Sequence, residues 1–210
     1  MANPDFRDDS ILGRLRDIYT NISGLLTGIV LAAGTARIGT VSGVLVDTAV
    51  EQVIDGSLGA YAAGDVVGAD DCCTTTAVMW EFEMARENGG SGVIFKALLE
   101  NETENQEVQY TFQLFNATVT GELRDNFNDT NPIKADIGKL VGVIEFPYSV
   151  ARGATVMTTA LATPNTSGNL PLAYKCAAGT TKLYGVLRTN TIYTQEPGDK
   201  IRITLSQEQY

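Results

Sequence analysis

The pattern of hydrophobic and polar positions changes period once along the chain. In the first thirty or so residues the apolar positions follow a helix, with Ile11, Leu15, Ile18, Ile22, Leu25 and Ile29 separated by four, three, four, three and four. Alternating threes and fours make a heptad seam, a stripe narrower than the face of a helix lying on a sheet. Asp8, Asp9 or Ser10 can cap the start, where negative charge suits the helix dipole. Gly13, Gly24 and Gly28 weaken the element, each by about 0.5–1 kcal/mol relative to alanine. Such a helix is marginal alone, so the seam needs a partner. Two partners fit: the chain's own domain, or copies of the helix around a symmetry axis.

After residue 29 the period becomes two. In TAVMWEFEMAR, Val78, Trp80, Phe82 and Met84 alternate with Met79, Glu81, Glu83 and Ala85, which predicts one buried and one mostly wet face. EVQYTFQLF repeats this with Val108, Tyr110, Phe112 and Leu114 against Gln109, Thr111 and Gln113, and IRITLSQ with Ile201, Ile203 and Leu205 inward. GVIFKALLE, KLVGVIEF, ATVMTTALA and TKLYGVLRT are further strand candidates. The turn clusters ENGGSG, DNFNDTNP, TPNTSGN and QEPGD separate them. About eight strands of this kind predict a mainly β chain, an antiparallel β-sandwich of jelly-roll type over residues 59–210. Residues 1–58 are expected to hold the helix and, from about 35, a glycine-interrupted linking ribbon. No βαβ alternation appears, which disfavours a doubly wound nucleotide-binding fold.

Composition narrows the function. The chain has 210 residues, long enough for a sizeable core, and its 44% hydrophobic and 19% charged residues are those of a folded protein. Twenty-five acidic against fifteen basic residues give −10, so the average field repels nucleic acid and anionic membranes, and neither is expected as a partner. The opening MANPDFRDDS is acidic and lacks an apolar h-region, which predicts synthesis in a cytoplasm without a secretory leader. GLLTGIVLAAG is too short to span a bilayer. The sequons at Asn21, Asn101, Asn116, Asn128 and Asn165 then read as loop and strand polarity. Cys72, Cys73 and Cys176 with no histidine make a Cys/His metal site implausible. A disulfide from Cys176 to Cys72 or Cys73 is open, and buried free thiols suit a reducing compartment better.

Candidate chemistry is sparse. Without histidine no Ser-His-Asp or Cys-His arrangement can be assembled. GGSG at 89–92 runs straight into a strand, so a turn is the expected reading over a phosphate cradle. Glu81 and Glu83 share a strand face and could serve a glycosidase only if they faced each other across a sugar; side by side they read as a solvated face. DNFNDTN offers Asp125, Asn126, Asn128 and Asp129 without the spacing of a calcium loop, and a hydrogen-bonded turn is expected. Trp80 reads as core rather than a sugar platform. If the fold were a carbohydrate-binding module, Tyr61, Tyr148, Tyr174 and Tyr193 would be its available aromatics. No catalytic, cofactor-binding or metal residue is assigned.

AYAAGDVVG at 60–68, GGSGVI at 89–94, QLFNA at 113–117, the DNFND turn and LYGVLRTNTIYTQEPGDKIRITLSQEQ near the end occur in an order that resembles tailed-bacteriophage virion proteins of the capsid decoration, cement and head-fibre kind. The resemblance covers about residues 60–209. It implies a β-sandwich, often homotrimeric, on the outside of a capsid, in contact with the major capsid protein across capsomers. Gly64 and Asp65 would form a turn, Val66 and Val67 begin a strand, and Gly68 end or kink it. Gly89, Gly90 and Gly92 would allow a tight turn. The family lends no catalytic residue. Within this setting the six seam residues are the expected oligomer or capsid contact. A tail-fibre or baseplate component facing a host-surface glycan is the alternative.

Overall fold

The computed structural model describes residues 13–21, 44–55, 59–69, 79–104, 106–151, 157–164 and 169–210. The chain divides between Val41 and Ser42 into two units. In the first, residues 13–21 form a helix, α1, whose side chains are all exposed.

Among the described residues every strand pairing of the second unit is antiparallel, and one 3-10 turn lies at Lys134–Asp136. Its strands in chain order are β1 (Val44–Val53), β2 (Ala60–Tyr61), β3 (Val66–Val67), β4 (Trp80–Glu83), β5 (Ser91–Asn101), β6 (Tyr110–Phe115) and β7 (Leu140–Glu145). They continue with β8 (Val150–Ala151), β9 (Thr158–Ala162), β10 (Leu172–Lys175), β11 (Lys182–Thr189), β12 (Tyr193–Thr194) and β13 (Lys200–Gln209). One sheet has the order β1-β13-β5-β9-β8, with β10 beside the first part of β5; the other has the order β3-β11-β6-β7, with β4 also on β11; β12 and β2 form a third. Counting β9 and β10 as one position, the long strands number one to eight along the chain. They lie as 1-8-3-6 in the first sheet and 2-7-4-5 in the second, the order of a jelly roll.

The inner faces carry the alternation that predicted them. Trp80, Phe82 and Met84 of the β4 segment meet Phe112 and Leu114 of β6 and Ile201, Ile203 and Leu205 of β13, all fully buried or nearly so. Phe112 takes Trp80 and Phe82 edge-on at 6.4 and 5.8 Å between centroids. Its ring lies over Gly185 on the neighbouring strand, where a Cβ would stand 2.1 Å from the ring. The pairing of β13 with β5 skips Phe95, since Ser206 is opposite Lys96 and Gln207 opposite Ile94. This bulge resets the alternation, so that Ile94 and Ala97, three apart, both point into the core.

Three expectations need correction. The stretch read as a linking ribbon contains β1, which pairs with β13 over ten residues and buries Gln52 and Ile54, so the sandwich begins before residue 59. Thr111 and Gln113, expected in water, are buried: Thr111 is hydrogen-bonded to Glu145 and Asn190, and the 116–139 connection folds back over Gln113, whose Nε2 donates to Asp129. There Phe115, Val119 and Val186 join Val66 and Met79 in a second small core, which also explains why Met79 is buried opposite to its predicted face.

Candidate functional site

Antiparallel register arranges the outer face of the first sheet in rows. A central row runs Ala49, Thr204, Leu98, Leu161, small or apolar at every strand. On one side lies Glu51, Arg202, Glu100, Thr159, Val150; on the other, Asp47, Ser206, Lys96. The face has exposed apolar side chains at Leu45 (70%), Val150 (56%), Val53 (51%), Met157 (42%) and Leu161 (40%). A shallow groove of about 120 Å³ at one end is bordered by Glu51, Glu100, Glu102, Met157, Lys200 and Arg202. Lys200 Nζ lies 2.8 Å from Glu51 Oε1, and this hydrogen-bonded pair lowers the carboxyl pKa and raises that of the ammonium. The face is partly apolar, with charged side chains on either side of the central row.

Buried polar groups hold the sandwich at its ends. Asn101 Nδ2 donates to Tyr110 Oη (3.1 Å) and to Gln195 Oε1 (3.0 Å), and Gln195 Nε2 donates back to Asn101 Oδ1 (3.1 Å). Tyr61 stacks on Tyr193 at 4.9 Å and donates its hydroxyl to Asp125 Oδ2 at 2.6 Å; Gly68 N–H donates to Oδ1 at 3.0 Å. Asp125 is fully buried, and desolvation pushes its pKa up to about 6 against the pull of those two donors. Burial and the neighbouring carboxylate likewise push the Tyr61 phenol far up.

The stretch AYAAGDVVG makes a turn and a short strand. Gly64 is in the left-handed region (φ +103), Asp65 N–H closes a turn on the Ala62 carbonyl, and Val66–Val67 is β3. β3 lies between β11 and residues 126–129: Val66 N–H donates to the Phe127 carbonyl and Thr189 N–H to that of Asp65. It clips the 116–139 connection to the sheet.

The remaining candidates are dispersed. Leu15 and Ile18 are 56% and 54% exposed on α1, whereas Ile11, Ile22, Leu25 and Ile29 lie outside the described residues. Glu81 and Glu83 stand side by side on exposed β4 with Lys182 Nζ at 2.8 and 3.6 Å. They do not face each other across a cleft. Trp80 is in the core, its Nε1 donating to the Val67 carbonyl at 3.3 Å. Of the four tyrosines considered for a sugar platform, Tyr61, Tyr174 and Tyr193 are buried and only Tyr148 is exposed, which dismantles that platform.

The acidic turn is hydrogen-bonded within itself. Asp129 accepts from Gln113 Nε2 (2.7 Å) and from the backbone N–H of Asn131 (2.8 Å), while Asp125 turns inward. Among the described residues no three Cys, Asp or Glu side chains are grouped to hold a metal ion, and no helix is long and apolar enough to cross a membrane. Cys176 is a buried free thiol whose pKa burial and Glu83 push up to about 11; Cys72 and Cys73 lie outside the described residues. The sequon residue Asn101 is fully buried.

Sequence reasoning missed the outer face because it depends on β1. The signal was present as period two in VLVDTAVEQV, but Leu45, Asp47, Ala49, Glu51 and Val53 mix polar and apolar on one side, and Val46, Thr48, Val50 and Gln52 do so on the other. No protein-family model matches the chain, and no curated protein matches its sequence.

Proposed function

We propose that this chain is a structural virion protein of a tailed bacteriophage, decorating or cementing the outside of a capsid through contacts across capsomers. The observation that carries this reading is the broad outer sheet face with its exposed apolar side chains on a rigid jelly roll. Such a face contributes free energy by area, about 25 cal/mol for each Å² of apolar surface removed from water, and needs no reacting group. The exposed seam residues Leu15 and Ile18 support a stem that associates with other copies, as a trimer, or with the major capsid protein. The charge of −10 keeps the surface soluble and away from nucleic acid.

Electron microscopy of particles carrying the tagged chain tests this. Many copies on the head are expected, and heads lacking the chain should rupture at lower temperature. Few copies at the tail would replace the reading with a fibre or baseplate role. Absence from purified particles would end it.

A further inference from the structure

We propose that the outer face of the six-stranded sheet is a self-association surface, occupied by the same face of a second copy about a two-fold axis along the Ala49, Thr204, Leu98, Leu161 row. The inference builds on the reading of this face as contact surface and names its partner. Register carries it. Rotating the rows about that axis brings Lys96 of each copy opposite Glu100 of the other. The same operation sets Leu45 opposite Val53, while Leu98 and Leu161 each meet their own counterpart on the axis. Ion pairs and apolar contacts thus fall where a two-fold repeats them, as an isologous interface requires. One like-charged meeting results, Glu51 with Asp47, and Lys200 at 2.8 Å already neutralises Glu51.

The area is sufficient. Ten residues at about 3.4 Å and four strands at about 4.8 Å give a face of about 600 Å², so about 1,200 Å² in the pair. That is the lower end of specific interfaces, and two such sheets stack aligned, roughly 10 Å apart. Association at micromolar concentration is the expected strength. Lys96 and Glu100 are half-buried and make no ion pair with any described residue, which leaves both available.

The test is the mass of the full chain by sedimentation, without any capsid. The two-fold predicts that Lys96→Glu halves the mass at a concentration where the wild type is assembled, whether the stem makes the unit a trimer or leaves it single. Its dissociation constant should rise about tenfold or more. Glu100→Lys should do the same, and the double variant Lys96→Glu with Glu100→Lys should restore the wild-type mass, because the pair is only exchanged. Leu161→Asp should halve the mass without rescue. A wild type that stays single or trimeric up to about 100 µM overturns the proposal. So does a charge exchange that fails to rescue. Neither result decides whether the chain sits on a capsid, which particle imaging tests separately; a self-associated face leaves the capsid itself to other surfaces of the chain.

Discussion

Asp125 gives the sharpest test of how the sandwich is held. It is fully buried, its two donors are the Tyr61 hydroxyl and the Gly68 N–H, and its pKa is raised from 3.8 to about 6. A carboxyl with a raised folded pKa is neutral in the folded protein while already ionised in the unfolded chain, so the unfolded state binds fewer protons between those values. Its contribution is therefore complete below about pH 4 and is lost as pH rises through 6. A shift of about two units corresponds to about 3 kcal/mol in all, of which about 2 kcal/mol falls between pH 4.5 and 7.5. Asp125→Asn removes the titration while keeping the shape: its Oδ1 can still accept from Gly68 N–H, and its Nδ2 can donate to the Tyr61 hydroxyl oxygen. Urea unfolding of wild type and variant across this range isolates the effect, since every other titrating group cancels in the difference. The variant should gain about 2 kcal/mol relative to wild type from pH 4.5 to 7.5, a midpoint shift of about 1 M for a slope near 2 kcal/mol/M. A difference flat to within about 0.5 kcal/mol would refute the argument, and would mean that the donors at 2.6 and 3.0 Å outweigh desolvation.

Other substitutions probe the remaining layers. Gly185→Ala drives a methyl group into the Phe112 ring and should destabilise by about 1–3 kcal/mol in urea unfolding, with altered near-UV signal from the aromatic cluster. Asn101→Ala leaves Gln195 and Tyr110 without their buried partner and should cost about 1–3 kcal/mol; glycan attachment at Asn101 should be absent from the folded chain by mass spectrometry. Changing Glu81 and Glu83 together to Gln removes an exposed pair around Lys182, and should move stability by no more than about 1 kcal/mol.

Part of the sandwich was legible where a strand is apolar on one side and polar on the other: Trp80 and Phe82 against Glu81 and Glu83 fixes the orientation of β4 before any partner is known. What stayed illegible has long-range causes. Nothing near Gln113 announces that a connection beginning at residue 116 will return over it and seat Phe115 and Val119 in a second core. The bulge at Phe95 is invisible in GVIFKALLE, because only pairing with β13 shows that Lys96 and Ile94 are neighbours in register with Ser206 and Gln207. Asp125 reads as one acid in a polar turn, and only the fold delivers Tyr61 from sixty-four residues away to meet it. The stripe of α1 was read from spacing; Leu15 and Ile18 are exposed on it, and the other four positions lie outside the described residues.

The placement of β1 separates two otherwise similar truncations. Removing residues 1–41 cuts between the two units and leaves every strand of the sandwich in place. Removing 1–58 takes away β1, the fully buried Ile54 and the bond from Ala69 N–H to Gln52 Oε1, and strips the edge of β13 over ten residues. Loss of a buried isoleucine alone costs about 2–5 kcal/mol, and a newly opened edge presents unpaired N–H and C=O groups to other chains. The shorter truncation should keep the unfolding midpoint of the sandwich within experimental scatter, and the longer one should aggregate or unfold below about 1 M urea. Equal stability of the two would show that the 35–58 segment is a linker after all, and it would remove the central row of the docking face at its Ala49 end.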